Sequence, residues 1–562
     1  MPDDPAQPAP PRREWRAALL LAFIAFLVYN ANFHSITSSD NYPARFLPFD
    51  ILHYHSVTLD PMLTAASEGR THPYWIIPGR GGSHISQYPI VTPVLIAPLY
   101  LPALAWLDAR GWEDRRVDRV ARFMEKISAS LVASASVALM YLLLLRRARP
   151  RIALLLAIAY AFGTNTWVIG SQGLWQHGMA ELLLAGILLL VTGPRTAWRA
   201  ALAGALCVLV VFNRPPDIFF AAALGPWSLW WAGRRAWWVV IAGGIVPFAL
   251  LMGYNLGVAG SIVGGYGVAA NAGFYRYNLA EGIAGMLFSP GRGLYVFTPF
   301  LLALPLFPHR VFRDPATRAL SVLMSIAVVL QLMLYAKIDW RAGCSWGPRY
   351  LTDALPLLLW LLAPAAAAMR RPGLAVFSAG VAASIAVQAV GAFWYTGASD
   401  EAIFAKPGNM VSVWNLSNTP FLMETKHRRA PRDLLLYVEG SIDGVRAGGR
   451  EASEAPAGTE IVVSGWALTD RRTPGRLFAT LAPRDMALLN NGATQPAAVT
   501  LKFQPRTDIG NAPGTPEPGG WRVALPTAGL PPGDYVIETY VQGPGGGDFH
   551  SLGQHPFKLL AK

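Results

Sequence analysis

Residues 126–170 read KISASLVASASVALMYLLLLRRARPRIALLLAIAYAFGTNTWVIG. Two apolar runs, 126–145 and 151–170, are parted by Arg146, Arg147, Arg149 and Arg151. Each run is close to the ~20 residues needed to cross a ~30 Å hydrocarbon core. Arginines crowded between two such runs mark a short cytoplasmic turn. Working outward, the pattern repeats along most of the chain. Twelve apolar stretches stand at 15–32, 90–107, 126–145, 151–170, 178–193, 198–212, 216–233, 236–256, 293–308, 317–336, 350–369 and 373–396. Further basic clusters flank them: Arg12, Arg13 and Arg16; Arg195 and Arg199; Arg234 and Arg235; His309, Arg310 and Arg313; Arg370 and Arg371. The reading is a polytopic α-helical membrane protein.

Composition agrees. Hydrophobic residues make up 53% of the 562 and charged residues only 14%, whereas a soluble globule carries about a quarter charged. Many of the 19 tryptophans sit at run ends, where amphipathic rings favour the headgroup level. The net charge of +13 lies beside membrane runs and forms no basic stripe on a reading motif, which argues against a nucleic acid partner. Of the two cysteines, Cys207 is mid-run and Cys344 is in a polar loop, so no disulfide framework is expected. The Pro-rich Met1–Arg16 leads into a run without a small-residue cleavage site, read as a retained first helix.

The clusters at 12–16 and 370–371 place the N-terminus inside and everything after 397 outside. That requires an odd number of crossings. Stretch 90–107, with Pro93, Pro98 and Pro102, is the weakest helix, since interior prolines remove hydrogen bonds. It is expected to dip in without crossing, leaving about eleven spans; an extra crossing within 257–292 is the competing repair. Outside then lie 33–125, 171–177, 213–215, 257–292, 337–349 and the tail, and these segments hold nearly all the unusual polar clusters.

The first outer loop opens Ser38-Ser39-Asp40-Asn41-Tyr42, contains the interfacial pattern Phe46–Leu52, and ends Gln87-Tyr88-Pro89. By position alone, Asp40 suits a helix-end turn as well as a functional acid. Trp175-Gln176-His177 follows later, with Glu181 four residues on; that spacing puts both on one helix face, where a structural pair is commoner than a metal pair. Arg214, in Asn213-Arg214-Pro215, is a cation on the disfavoured side. Arg292 lies between glycines, and Lys337, Arg341 and Arg349 gather in the segment from Lys337 to Tyr350, which holds Gly343-Cys344-Ser345-Trp346-Gly347-Pro348. Guanidinium forks and an ammonium suit phosphate oxygens. Snorkelling to lipid headgroups is the plainer alternative.

Asp40 early in the first outer loop, Gln87-Tyr88-Pro89 at its end, the many-span layout and Trp346-Gly347-Pro348-Arg349-Tyr350 together resemble the GT-C superfamily. These are polyprenyl-phosphate-sugar-dependent glycosyltransferases, among them O-mannosyl-, aminoarabinose and arabinofuranosyl transferases, and the resemblance covers about residues 15–400. It implies an inverting transfer from a polyprenyl-phosphate sugar donor to a glycan or glycolipid acceptor of the cell envelope. It also implies a bacterial inner membrane, with membrane lipids around the chain and the active face extracytoplasmic. Asp40 would be the general base. Arg292, Lys337 and Arg349, with Arg214 and Arg341 behind them, would hold the donor phosphate. His177, Trp175, Tyr88, Trp346 and Tyr350 would bind substrate. Many relatives carry paired acids where this chain has Asp40-Asn41, and one carboxylate is a poor divalent-ion site; no metal or other cofactor is expected. Asp50 and Asp60 are fallback acids.

Residues 1–400 are thus read as the transmembrane catalytic domain, 401–430 as a linker and 431–562 as a periplasmic β-sandwich. The sandwich rests on short alternating stretches between turns: Leu434–Val438, Glu460–Leu468, Leu477–Leu481, Ala498–Phe503, Trp521–Leu525, Tyr535–Gln542 and Phe557–Leu560. Trp466, in Gly465-Trp466-Ala467, suits a sugar platform or a core position. Two rivals remain. A lipid-linked glycan flippase or transporter would place polar residues near the bilayer midplane, where only Gln331 and Gln388 stand out. An O-antigen ligase or polymerase would instead invest in a late outer loop.

Overall fold

The computed structural model describes residues 12–561 apart from 68–73, 270–274, 276, 398, 401–410, 427–428, 430–433, 435–437, 470–475, 484–503, 506–518 and 544–548. Helices dominate up to residue 394 and strands follow. Among the described residues, five helices are long and apolar enough to cross a membrane: Val91–Arg110, Arg116–Leu144, Trp237–Ala259, Pro315–Ala336 and Arg371–Trp394. Shorter apolar helices are Pro150–Gly163, Gln176–Val191, Ala197–Asn213, Leu279–Phe288 and Leu355–Ala367. The expectation of eleven spans is therefore not reproduced by helix length alone.

Two sequence expectations change. Stretch 90–107 stays helical, because the backbone tightens to a 3₁₀ turn at Ala97–Tyr100. Pro98 and Pro102 then fall at the first positions of successive segments, where their missing N–H groups are not needed. Stretch 293–308 does the opposite. It divides into Leu294–Phe297, Pro299–Leu302, Ala303–Leu306 and Pro308–Val311, with breaks just before Pro299 and Pro308. An apolar helix, Leu279–Phe288, forms just before it, inside the segment named above as the competing crossing.

The helix Asp114–Leu144 starts well before the expected residue 126 and occupies the centre. It packs against Arg12–Asn30, Pro150–Gly163 and Gln176–Val191. At the periphery, Trp237–Tyr254 leaves Ile241, Ile245, Val246 and Leu250 exposed. Apolar residues on that outer face suit contact with lipid.

Among the described residues, eleven strands are formed: β1 (Ile76–Pro78), β2 (His84–Ser86), β3 (Val438–Ala447), β4 (Arg450–Glu451), β5 (Glu454–Pro456), β6 (Ile461–Thr469), β7 (Arg476–Pro483), β8 (Gln504–Pro505), β9 (Gly519–Leu525), β10 (Gly533–Gln542) and β11 (Phe549–Leu560). β1 and β2 make a hairpin in the first loop. The rest form sheets ordered β5-β11-β10-β7 and β4-β3-β6-β9-β8. Both sheets contribute to one apolar core that includes Ile461, Val463, Trp521, Tyr535, Ile537 and Phe557, as in a sandwich. Alternation puts Ile461 and Val463 inside and leaves Trp466 half-buried on the outer face, opposite Gly520 and Ser441. Trp521 is the core tryptophan. The expected strand Ala498–Phe503 and residues 435–437 lie outside the described residues. Within the expected linker, Pro420–Glu424 is helical, and buried Glu424 accepts hydrogen bonds from Thr396 and Ser399.

Candidate active site

Asp40 sits in a single 3₁₀ turn, Ser39–Asn41, capped by Ser38, whose side chain accepts from the Asp40 N–H. The helix Tyr42–His53 begins directly after it, with Pro43 in its first turn. This aims the carboxylate back at the chain. Tyr74 and Tyr88 each donate to Oδ1 at 2.6 Å, and Arg349 donates from Nη1 to Oδ2 at 3.1 Å. The Tyr88 amide donates to the Ser86 hydroxyl at 2.9 Å, which fixes the ring just past the hairpin. Asp40 remains 19% exposed.

Arg349 follows Gly347-Pro348 and lies over the rings of Trp175 and Tyr350, at 4.9 and 5.1 Å from their centroids. Gly343 has φ of +90°, and a Cβ there would strike the Arg349 guanidinium, so the loop closes on the arginine only with glycine at that position. Burial alone would raise the Asp40 pKa. The Arg349 charge and the two tyrosine hydroxyls outweigh it and hold the carboxyl below its ordinary value. Burial and the Asp40 charge push both tyrosines up, so they stay protonated donors.

Behind this group lies a buried second set. Asp353 pairs with Arg214 at 2.6 Å and with His177 at 2.7 Å. Arg214 also donates to the Tyr335 hydroxyl, and Tyr335 stacks on Tyr350 at 4.8 Å and 16°. Arg214 and His177 are thereby linked to Arg349 through two tyrosines. Glu181 does not join His177; it accepts from Thr166 at 2.6 Å instead. Among the described residues no group of three or more His, Cys, Asp or Glu is placed to hold a metal ion.

A narrow, shallow cleft opens beside the loop, lined by Met286, Arg292, Trp340, Arg349 and Tyr350 among others. Arg292 reaches it already engaged. It pairs with Asp400 at 2.6 Å and donates to the carbonyls of Gly343 and Ser345, so it shapes the loop as well as charging the cleft. Arg341 is paired with Asp339 at 2.9 Å. Lys337 is the half-buried C-cap of the helix Pro315–Ala336. Trp346 is fully buried against Phe297 and Tyr395. It braces the loop from beneath and does not line the cleft, contrary to the substrate-binding expectation. Of the fallback acids, Asp50 is fully buried and Asp60 is engaged by His84 and Thr58.

Sequence reading missed Asp353, Tyr335 and Tyr74. Asp353 carried a signal, since a carboxylate at the mouth of an apolar run needs a partner. Tyr74 carried none.

No family model matches the chain, and no curated protein matches it. Among solved structures, ArnT from Cupriavidus metallidurans bound to undecaprenyl phosphate aligns at 11% identity with a TM-score of 0.41, covering 70% of this chain and 66% of that one. ArnT from the same organism in the apo state aligns at 11% identity and TM-score 0.39, covering 70% and 65%. The chain thus spans just under two thirds of the length of the solved structures it is similar to.

Proposed function

We propose that this chain is an inverting membrane glycosyltransferase that moves a sugar from a polyprenyl phosphate to a cell-envelope glycan or glycolipid on the extracytoplasmic side. The observation that carries the reading is the meeting of Asp40 and Arg349, 309 positions apart in sequence, in one partly open site walled by Tyr88, Trp175 and Tyr350. Asp40 accepts the acceptor's hydroxyl proton as that oxygen attacks the anomeric carbon from the face opposite the phosphate. The carbon–oxygen bond to phosphate breaks, and its electron pair leaves with the lipid phosphate. Arg349, with Arg292 on the same cleft, stabilises that developing charge. Arg214 stands behind them, its charge offset by Asp353. The donor lipid is of the class named for the ArnT structure above. The β-sheets after residue 438 are proposed to position the acceptor.

The test is release of undecaprenyl phosphate from a panel of undecaprenyl-phosphate hexoses, pentoses and aminopentoses, with the full-length protein in nanodiscs. Asp40→Asn should lower kcat by about 10²–10⁴-fold, the usual worth of a general base, in protein that still unfolds cooperatively, with a lower melting temperature because Arg349 loses its partner. Normal turnover by that variant would exclude the reading. Arg349→Ala should weaken undecaprenyl phosphate binding more than acceptor binding, and equal losses would count against its role.

A further inference from the structure

Adjoining residues of the long central helix, Glu125 and Lys126, are both fully buried and neither belongs to the site just described. Each ties the first outer loop to the turn at 171–175. The Glu125 carboxylate accepts from Thr37 at 2.8 Å and from the Leu174 amide at 3.1 Å on Oε1, and from Arg45 at 2.7 Å on Oε2. Thr37 and Arg45 lie on either side of Asp40 in sequence. Leu174 is next to Trp175, whose ring lies against Arg349. Lys126 donates to Asn32, to the His34 carbonyl and to Gln172. The same two segments also bond directly, Ile36 N–H to the Gln172 carbonyl at 3.1 Å and the Trp175 indole to the Ile36 carbonyl at 2.9 Å.

One carboxylate therefore fixes both flanks of the acid and the platform under its arginine partner. A buried ion is retained where partners satisfy it from several sides, because an unpaired one is strongly destabilising. Here the partners come from the segment that carries Asp40 and the segment that carries Trp175, on whose ring Arg349 lies. We infer that Glu125 is a positioning residue for the proposed transfer, acting through Asp40 by holding the base at reacting distance from the cationic cleft.

This inference rests on the function proposed above, and a double-mutant cycle separates the two. Turnover is read as undecaprenyl phosphate release from whichever sugar of the panel reacts fastest. Glu125→Gln keeps the shape and loses the charge that holds Arg45. Since a shift of about 1 Å in a reacting group costs on the order of 10²-fold, kcat should fall about 10–100-fold while the donor KM changes less than about threefold. In an Asp40→Asn background the same change should cost nothing further, because the positioned group is already gone. Thr37→Val, which removes a single arm from a half-buried site, should give a smaller kcat loss with unchanged KM and serves if Glu125→Gln fails to fold. Wild-type kcat in both variants would overturn the positioning role, as would equal losses with and without the Asp40 carboxylate. Normal turnover by Asp40→Asn alone would instead remove the parent reading.

Discussion

The Asp40 carboxylate carries three donors on two oxygens, and the donors are not equivalent. Tyr88 is half-buried next to the hairpin, whereas Tyr74 is 54% exposed. Tyr74 holds Oδ1 from the open side, where an incoming hydroxyl would take its place. Tyr74→Phe removes one bond that favours the ionised form, so, with Asp40 as the proposed base, the acid limb of kcat/KM should move to higher pH than in the unaltered protein. The sign for stability follows from linkage. A depressed carboxyl contributes stability that is fully present above its unfolded pKa and lost as pH falls through its folded one. Asp50 behaves in the opposite sense. Burial, followed by the weaker influence of nearby Asp60, pushes its carboxyl up to about 8, so it folds as the neutral acid and its contribution declines as pH rises from about 4 towards 8. Asp50→Asn should be near-neutral at pH 4 and raise the melting temperature progressively towards pH 8, checked by thermal unfolding across that range. Asp40 and Arg349 were legible in the sequence because each stands beside a membrane run with turn-forming neighbours. Glu125 was not, because its meaning depends on partners that only folding brings to it; Asp353 carried a signal in its place at the mouth of an apolar run, but its pairing with Arg214 and His177 did not show.

At the scale of elements, the loop 337–349 is seated by its tryptophans on helix glycines. Gly285 meets the Trp340 ring and Gly391 meets the Trp346 ring, with an added Cβ at Gly391 falling 2.5 Å from the indole. Gly391→Ala should therefore displace Trp346 at a cost of about 1–3 kcal/mol from overpacking. Because Trp346 underlies the Arg349 turn, undecaprenyl phosphate binding should weaken along with the melting temperature; titration and thermal unfolding on one preparation check both. The misread elements share a cause with this packing. Each stretch holds three prolines, so their number does not separate 90–107 from 293–308; the backbone before them does. Ile96 and Tyr100 keep helical backbone where new segments open in 90–107, while Thr298 and Phe307, just before Pro299 and Pro308, do not.

For the whole molecule, two apolar cores are distinct, one among the helices and one between the sheets. They touch where β11 packs on the helix Asp114–Leu144. Trp521→Ala should cost about 3–5 kcal/mol, as large-to-small core changes do. Hydrogen exchange should report it as lost protection from β3 to β11, with undecaprenyl phosphate affinity unchanged. A helical majority followed by a C-terminal sheet region was legible from run length and alternation, both one-dimensional signals. The arrangement of helices was not, since it depends on which faces meet.

The seating of two indoles on two glycines reaches beyond stability. Positions outside the proposed site set the register of the loop that lines it, so the bare backbone at Gly285 and Gly391 is constrained together with the charged groups above it. In any chain sharing this site, a methyl group gained at either helix position will have to be matched by a smaller ring in the loop.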